Sequence, residues 1–262
     1  MLRDMIDVTD DKSLTQGTIF NCAYCSLYPN NEILGLVITA RCDLANKDKV
    51  KFLNFIPAIP FEIWKNKELL PLIKKQTINN LKSQYFELLC KAGFSQENLK
   101  VYGYDRIYPL ILEQKKITAK EITRLKNLKE RLDCLEQTSP YNKILTTFNS
   151  ETKVILKEII ENKNPDYFFI DDVAGYDSVV VNLREIYELR IDIAKKIQNG
   201  IELDCGESLP GLNINIENKF CSIVGQMRSP FIELLMQRFA NNFVRIGVVN
   251  HNIKFLEKIM EI

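Results

Sequence analysis

Three short apolar runs open the chain, and they constrain the fold more than any other feature. They are "GTIFNCAYC" (residues 17–25), "EILGLVITA" (32–40) and "KVKFLNFIPAI" (49–59). Each is rich in β-branched or aromatic residues, and turn-forming "YPNNE" (28–32) and "ANKDK" (45–49) separate them. That pattern predicts strands in meander order. Pro57 and Pro60 are expected to end the third strand, because proline brings no N–H to a ladder.

The period changes after Phe61. From Trp64 to Ala92 apolar residues recur at helical spacing, with a break expected near Pro71 and a C-cap at Gly93. Thr118 and Glu121 fit a capping box, in which each side chain satisfies the other's backbone N–H. Ser139-Pro140 stops that helix, and a further one is expected over 150–162 with Val154, Ile155, Ile159 and Ile160 inward. Strand character returns at 166–171 and 178–183. Residues 185–197 fit either a strand or a helix, Asn199-Gly200 reads as a hairpin turn, and Leu212, Ile214 and Ile216 alternate as in a strand. Ser229-Pro230 predicts a helix start followed by a wide apolar stripe through Phe231, Leu235 and Phe239. A last amphipathic helix carries Ile253, Leu256, Ile259 and Met260. The order implies an α+β fold. A small barrel or sheet combines strands from the N-terminal segment (1–60) and the C-terminal half (164–262) in one unit. A helical insertion (61–163) lies between them, and helices close the chain.

Composition narrows the function classes. The 262 residues are 46% hydrophobic and 26% charged, with a net charge of +1. That supports a sizeable core and implies no whole-surface pull on nucleic acid or membrane. The acidic N-terminus has no apolar core of a secretory signal, and no run reaches membrane-spanning length. A cytoplasmic location is the expectation. Seven cysteines, an odd number, point to reduced thiols rather than a disulfide scaffold. No glycine-rich phosphate loop has the spacing of the common nucleotide-binding motifs.

The candidate site residues fall into a few groups. Cys22 and Cys25 form a CxxC, and Cys42 could bring a third sulfur to a zinc ion, with Cys205, Cys221, Asp43 or His251 as a fourth ligand. The competing reading is buried, inert thiols and no cofactor. In Arg41-Cys42-Asp43 a thiolate beside arginine would be nucleophilic, but no base lies nearby in sequence. The structural reading has Asp43 capping the turn after the strand, Cys42 in the core and Arg41 paired with a carboxylate. Arg41 stays a candidate for binding an anion. Asp171, Asp172 and Asp177 could hold a divalent cation or stand solvated. The lysines and arginines of residues 115–129 could face RNA or form a solvated helix face. Arg238 and Arg245 share one helix face and are candidate binding residues.

Residues 14–60 resemble the SH3-like barrel of the PemK/MazF toxins, in the leading "QGTIF", the loop "YPNNE", the apolar "LGLVIT" and then "KVKFLNFIPAIP". The resemblance implies a metal-independent endoribonuclease in which Arg and Ser or Thr cleave RNA. The chain departs from the family where its Arg-Pro pair should stand, having Leu34-Gly35, and only Thr39 matches by position. Thr39, Arg41 and Asp43 are the catalytic candidates on that reading. "VITARCDLAN" and "SPFIELLMQRFANNFVRIG" also resemble bacterial proteins encoded near mobile elements and phage-defence genes. With no complete catalytic constellation, the leading expectation is not an enzyme. It is a bacterial accessory or regulatory protein that binds a protein partner encoded nearby, in a phage-defence or toxin–antitoxin operon. RNA cleavage and a zinc-stabilised binding module are the alternatives.

Overall fold

The apolar runs form strands, and the chain enters its main sheet at once. β1 (Ile6–Asp7), β2 (Thr18–Phe20) and β3 (Leu34–Val37) precede a short helix α1 (Arg41–Ala45) and the long β4 (Phe52–Pro60). Six helices follow: α2 (Phe61–Lys91), α3 (Gln96–Tyr102), α4 (Tyr104–Gln114), α5 (Ala119–Glu136), α6 (Tyr141–Thr147) and α7 (Asn149–Ile160). The chain then returns to strands with β5 (Tyr167–Val173), β6 (Asp177–Asn182) and β7 (Tyr187–Arg190). Next come α8 (Ile191–Asn199), β8 (Ile201–Glu202), β9 (Phe220–Cys221), β10 (Ile223–Met227) and α9 (Phe231–Phe243). This computed structural model describes residues 3–8, 13–46, 50–114, 116–136, 139–204, 206 and 208–243. The chain divides into two compact units, Met1–Phe61 with Asn162–Ile262, and Glu62–Glu161.

The first unit holds a nearly closed antiparallel barrel in an α+β fold. Its strand order is β1-β10-β2-β3-β4-β6-β5, with β7 also on β4. Both faces of the sheet are buried, which is why the strands read as continuous apolar runs. Ile19, Leu36 and Ile56 face one core with Phe168, Val181 and, from α9, Ile232 and Leu235. Their neighbours Phe20, Val37 and Phe55 face a second core with Ile193, Ala194 and Ile197 of α8. Gly35 of β3 lies beneath the Phe20 ring, where an added Cβ would come within 2.3 Å of a ring atom.

β4 runs through Pro57 and ends at Pro60, where α2 begins. Phe52–Phe55 pair with β7 and Ala58–Pro60 with β6, along the same edge. Pro57 falls between the two partners. Asn54 turns its N–H and C=O toward the β3 side, so by alternation the Pro57 nitrogen faces the seam, where no ladder bond is lost. The segment after β6 is strand and then helix, which accounts for its double periodicity. Gly200 is not a hairpin turn but the C-cap of α8, with φ of 80° and its N–H on Ile197 O at 3.0 Å. The alternation at Leu212, Ile214 and Ile216 is not a strand either. The Asn213 side chain accepts from Asn215 N–H at 3.1 Å, a local bond that competes with a ladder. Only Leu212 makes a bridge, to Ala23.

In the helical unit, α2 runs unbroken through Pro71, because Leu69 and Ile73 are buried on either side of it. Gly93 ends it in a Schellman arrangement, Gly93 N–H to Cys90 O and Phe94 N–H to Leu89 O. The capping box at Thr118 and Glu121 is present in both directions. On α7, Ile155 and Ile159 are buried, whereas Val154 and Ile160 are exposed. The expected last helix, 253–260, lies outside the described residues.

Candidate functional site

Thr39, Arg41 and Asp43 sit where β3 gives way to α1. The Thr39 hydroxyl accepts the Asn54 backbone N–H at 2.7 Å, standing in for a ladder carbonyl. The segment after the strand coils into α1, which places Asp43 in the first turn of a helix. The N-cap is Ala40, with no side-chain cap, and Asp43 N–H bonds Ala40 O at 3.1 Å. Cys42, expected in the core, is exposed, with its Sγ 3.8 Å from Asp43 Oδ1. Arg41 reaches Glu233 of α9 at 3.4 Å, and both side chains are half-exposed.

The three thiols of the zinc reading have separate surroundings. Cys22 Sγ faces the carbonyls of Phe220 (3.5 Å) and Asn218 (3.9 Å), while Cys25 Sγ lies 3.7 Å from Glu185 Oε2. Burial pushes the Cys25 thiol up, and the Glu185 charge adds to this. Among the described residues, no three His, Cys, Asp or Glu side chains gather as a metal site would need. Cys205 and His251 lie outside the described residues. Asp171, a candidate cation ligand, is held by Arg3. On α9, Arg238 donates to Asn164 O at 2.6 Å and fixes the helix to that turn. Arg245 lies outside the described residues. On α5, Lys129 pairs with Asp133, and Arg124 donates to Gln84 Oε1 at 2.9 Å.

The most developed polar geometry is elsewhere, around the loop between β2 and β3. Asn213, 1% exposed, holds that loop from below. Its Nδ2 donates to Pro29 O at 3.1 Å and Asn31 O at 3.2 Å, and its N–H donates to Cys22 O at 2.8 Å. Tyr28 is buried in the same loop. Two tyrosine–carboxylate pairs flank it. Tyr176 OH donates to Glu32 Oε1 at 2.5 Å, and Asn218 Nδ2 donates to the same oxygen at 2.8 Å. Tyr187 OH donates to Glu185 Oε2 at 2.8 Å and accepts the Ser26 N–H at 3.0 Å.

Tyr187 also ends an aromatic column. Phe20 meets Phe55 edge-on at 5.2 Å, Phe55 stacks on Tyr187 at 5.7 Å, and Tyr187 meets Tyr24 edge-on at 6.0 Å. The column starts at a fully buried ring and ends at Tyr24, 39% exposed. Leu27, next to Ser26, and Ile186, next to Tyr187, are 40% and 46% exposed. Burial, and then hydrogen bonding to a carboxylate, raise both phenols well above the ordinary tyrosine range. The phenols and the Cys25 thiol are therefore held protonated, as donors and packing groups rather than as bases or nucleophiles.

Sequence reasoning singled out neither tyrosine. Tyr176 sat in a turn and Tyr187 in a segment of mixed periodicity. Asn213 was hidden in an alternating pattern. The one available signal was the aromatic and polar density of "CAYCSLYPNNE".

No protein-family model, no curated protein and no solved structure matches the chain.

Proposed function

We propose that this chain acts by binding a protein partner at the rim of the barrel, through Tyr24, Leu27 and Ile186 around the Tyr187 network. The observation that carries this reading is the aromatic column. It brings a stacked, rigid set of rings from the core to a surface whose backbone Asn213 and Ser26 already hold in place. Preorganised tyrosines with exposed apolar neighbours are what binding hot spots are made of, because little conformational entropy is lost on docking. The groups with nucleophilic potential in this rim are held protonated, which favours recognition over chemistry. The partner suited to this surface is a folded protein with an apolar pocket for Tyr24 and Leu27. We expect it to be the product of an adjacent gene, in a bacterial phage-defence or toxin–antitoxin setting.

RNA cleavage by Thr39, Arg41 and Asp43 is less well supported, since the Thr39 hydroxyl serves the Asn54 amide and Arg41 reaches Glu233. Co-expression with each adjacent gene product tests the proposal. Stable co-purification with wild type, lost on Leu27→Asp or Ile186→Asp in a protein that still folds, supports it. RNA cleavage by the isolated chain that disappears in Arg41→Ala would overturn it in favour of the toxin-like reading.

A further inference from the structure

Cys22 and Cys221 come from opposite ends of the chain and meet in the second core of the barrel. The β2–β10 register sets Phe20 opposite Ile223, and Asn21 N–H then donates to Ser222 O at 3.1 Å. Cys22 and Cys221 lie one residue beyond that bond, where the β2–β10 ladder ends. The return bond is not a ladder bond: Ser222 N–H donates to the Asn21 side chain, at Oδ1, at 2.7 Å, and Cys22 turns out of the strand with φ of 56°.

The side chains bring the two cysteines together. Cys221 Sγ lies 3.1 Å from the carbonyl oxygen of Asn21, the residue before Cys22. Cys22 Sγ lies 3.5 Å from the carbonyl oxygen of Phe220, the residue before Cys221. Each sulfur thus reaches across to the peptide that leads into the other cysteine. Both are free thiols and both are fully buried. Contact with the Cys22 thiol and burial together hold the Cys221 thiol protonated far above its ordinary range.

We propose that Cys22 and Cys221 form a reversible disulfide that staples the N-terminal strands of the barrel to its C-terminal strands. The oxidant is a small-molecule disulfide such as oxidised glutathione. One cysteine, as thiolate, attacks a glutathione sulfur, breaks its S–S bond and releases one reduced glutathione. The other cysteine then attacks the mixed disulfide at the protein sulfur and releases the second glutathione. The two protein thiols lose two electrons and two protons, and glutathione gains them. Because both sulfurs are buried, exchange takes place during folding or on local opening of β8–β9, a pairing of only two residues on each side. The link closes most of the chain into one loop, which is where a cross-link constrains the unfolded state most.

The test uses the full chain, reduced, then unfolded and refolded across a series of glutathione redox ratios. Free thiols are trapped with N-ethylmaleimide and the protein is mapped as peptides without reduction. The expected result is a Cys22–Cys221 linked peptide at oxidising ratios that disappears on reduction. The thermal midpoint should rise by at least about 5 °C in the oxidised form, and that rise should be lost in Cys221→Ala. Maleimide on both cysteines at every ratio, or a link from either to Cys25 instead, overturns the proposal. Should Cys221→Ala fail to fold, the peptide map of the wild-type chain decides alone.

Discussion

Arg3 holds Asp171 with its backbone and its side chain together. Its N–H donates to Asp171 Oδ2 at 2.8 Å and its Nε to Oδ1 at 2.7 Å. Arg3 leads into β1 and Asp171 belongs to β5, the two ends of the strand order. One carboxylate therefore spans the place where the barrel fails to close. Asp171→Ala is expected to destabilise the barrel by about 1.5–3 kcal/mol, the range for hydrogen bonds to a charged group. Its exposed neighbour serves as control, with Asp172→Ala near neutral. Urea unfolding of the two variants beside wild type measures both.

Asn213→Ala removes two donated bonds and one accepted bond beneath the loop between β2 and β3. Pro29 and Asn31 are exposed, so water replaces the lost donors and the cost is about 1–2 kcal/mol in all. Hydrogen exchange reads the local part of this effect. Amides of residues 22–33 should lose protection, while those of β4 and β6 keep it.

Tyr187→Phe should leave the phenolate absorbance change around pH 10 at its wild-type size, because the folded Tyr187 does not ionise there. Tyr176→Phe should behave alike. The sign for stability follows from the same shifts. A raised folded pKa means the unfolded phenol loses its proton first, so stability is complete below about pH 10 and falls as pH rises beyond it. A shallower alkaline slope in the double variant, followed by urea unfolding at several pH values, is the second readout, the remainder coming from Tyr141, Cys25 and Cys221.

Arg41→Ala breaks an exposed ion pair, so it should cost less than about 1 kcal/mol. Gly35→Ala makes the contrast. A methyl group there meets the Phe20 ring, and the displaced ring should cost about 1–3 kcal/mol. Thermal unfolding distinguishes the two, with a small shift for the first and a loss of several degrees for the second.

The strands of the barrel were legible where a single physical signal dominated. Residues 33–38, an apolar run with β-branched Ile33, Val37 and Ile38, could be read directly. Where two signals competed, reading failed. Pro57 is a strand breaker by propensity, and only the exchange of partners along β4 makes it harmless. Arg41, Cys42 and Asp43 have no helical period that five residues could display. The candidate rim was less legible still, because Tyr24, Tyr187 and Phe55 are far apart in the chain. Their stacking depends on the β4–β7 register, which no local pattern encodes. Cys22 and Cys221 were separable from the other cysteines only after β2 and β10 were known to pair.

β4 and β6 are neighbours in the barrel, yet the whole of α2–α7 is translated between them. At about 5–20 residues per second, the edge of β4 waits roughly 5–20 s on the ribosome before its partner exists. During that interval the side of β4 that carries the backbone groups of Phe55 and Ile59 is an unpaired, aggregation-prone edge. The pairing is also highly non-local, which slows folding even for the finished chain. A nascent chain halted before residue 177 should therefore engage holding chaperones, whereas an isolated helical unit, built from local contacts, should have much less need of them.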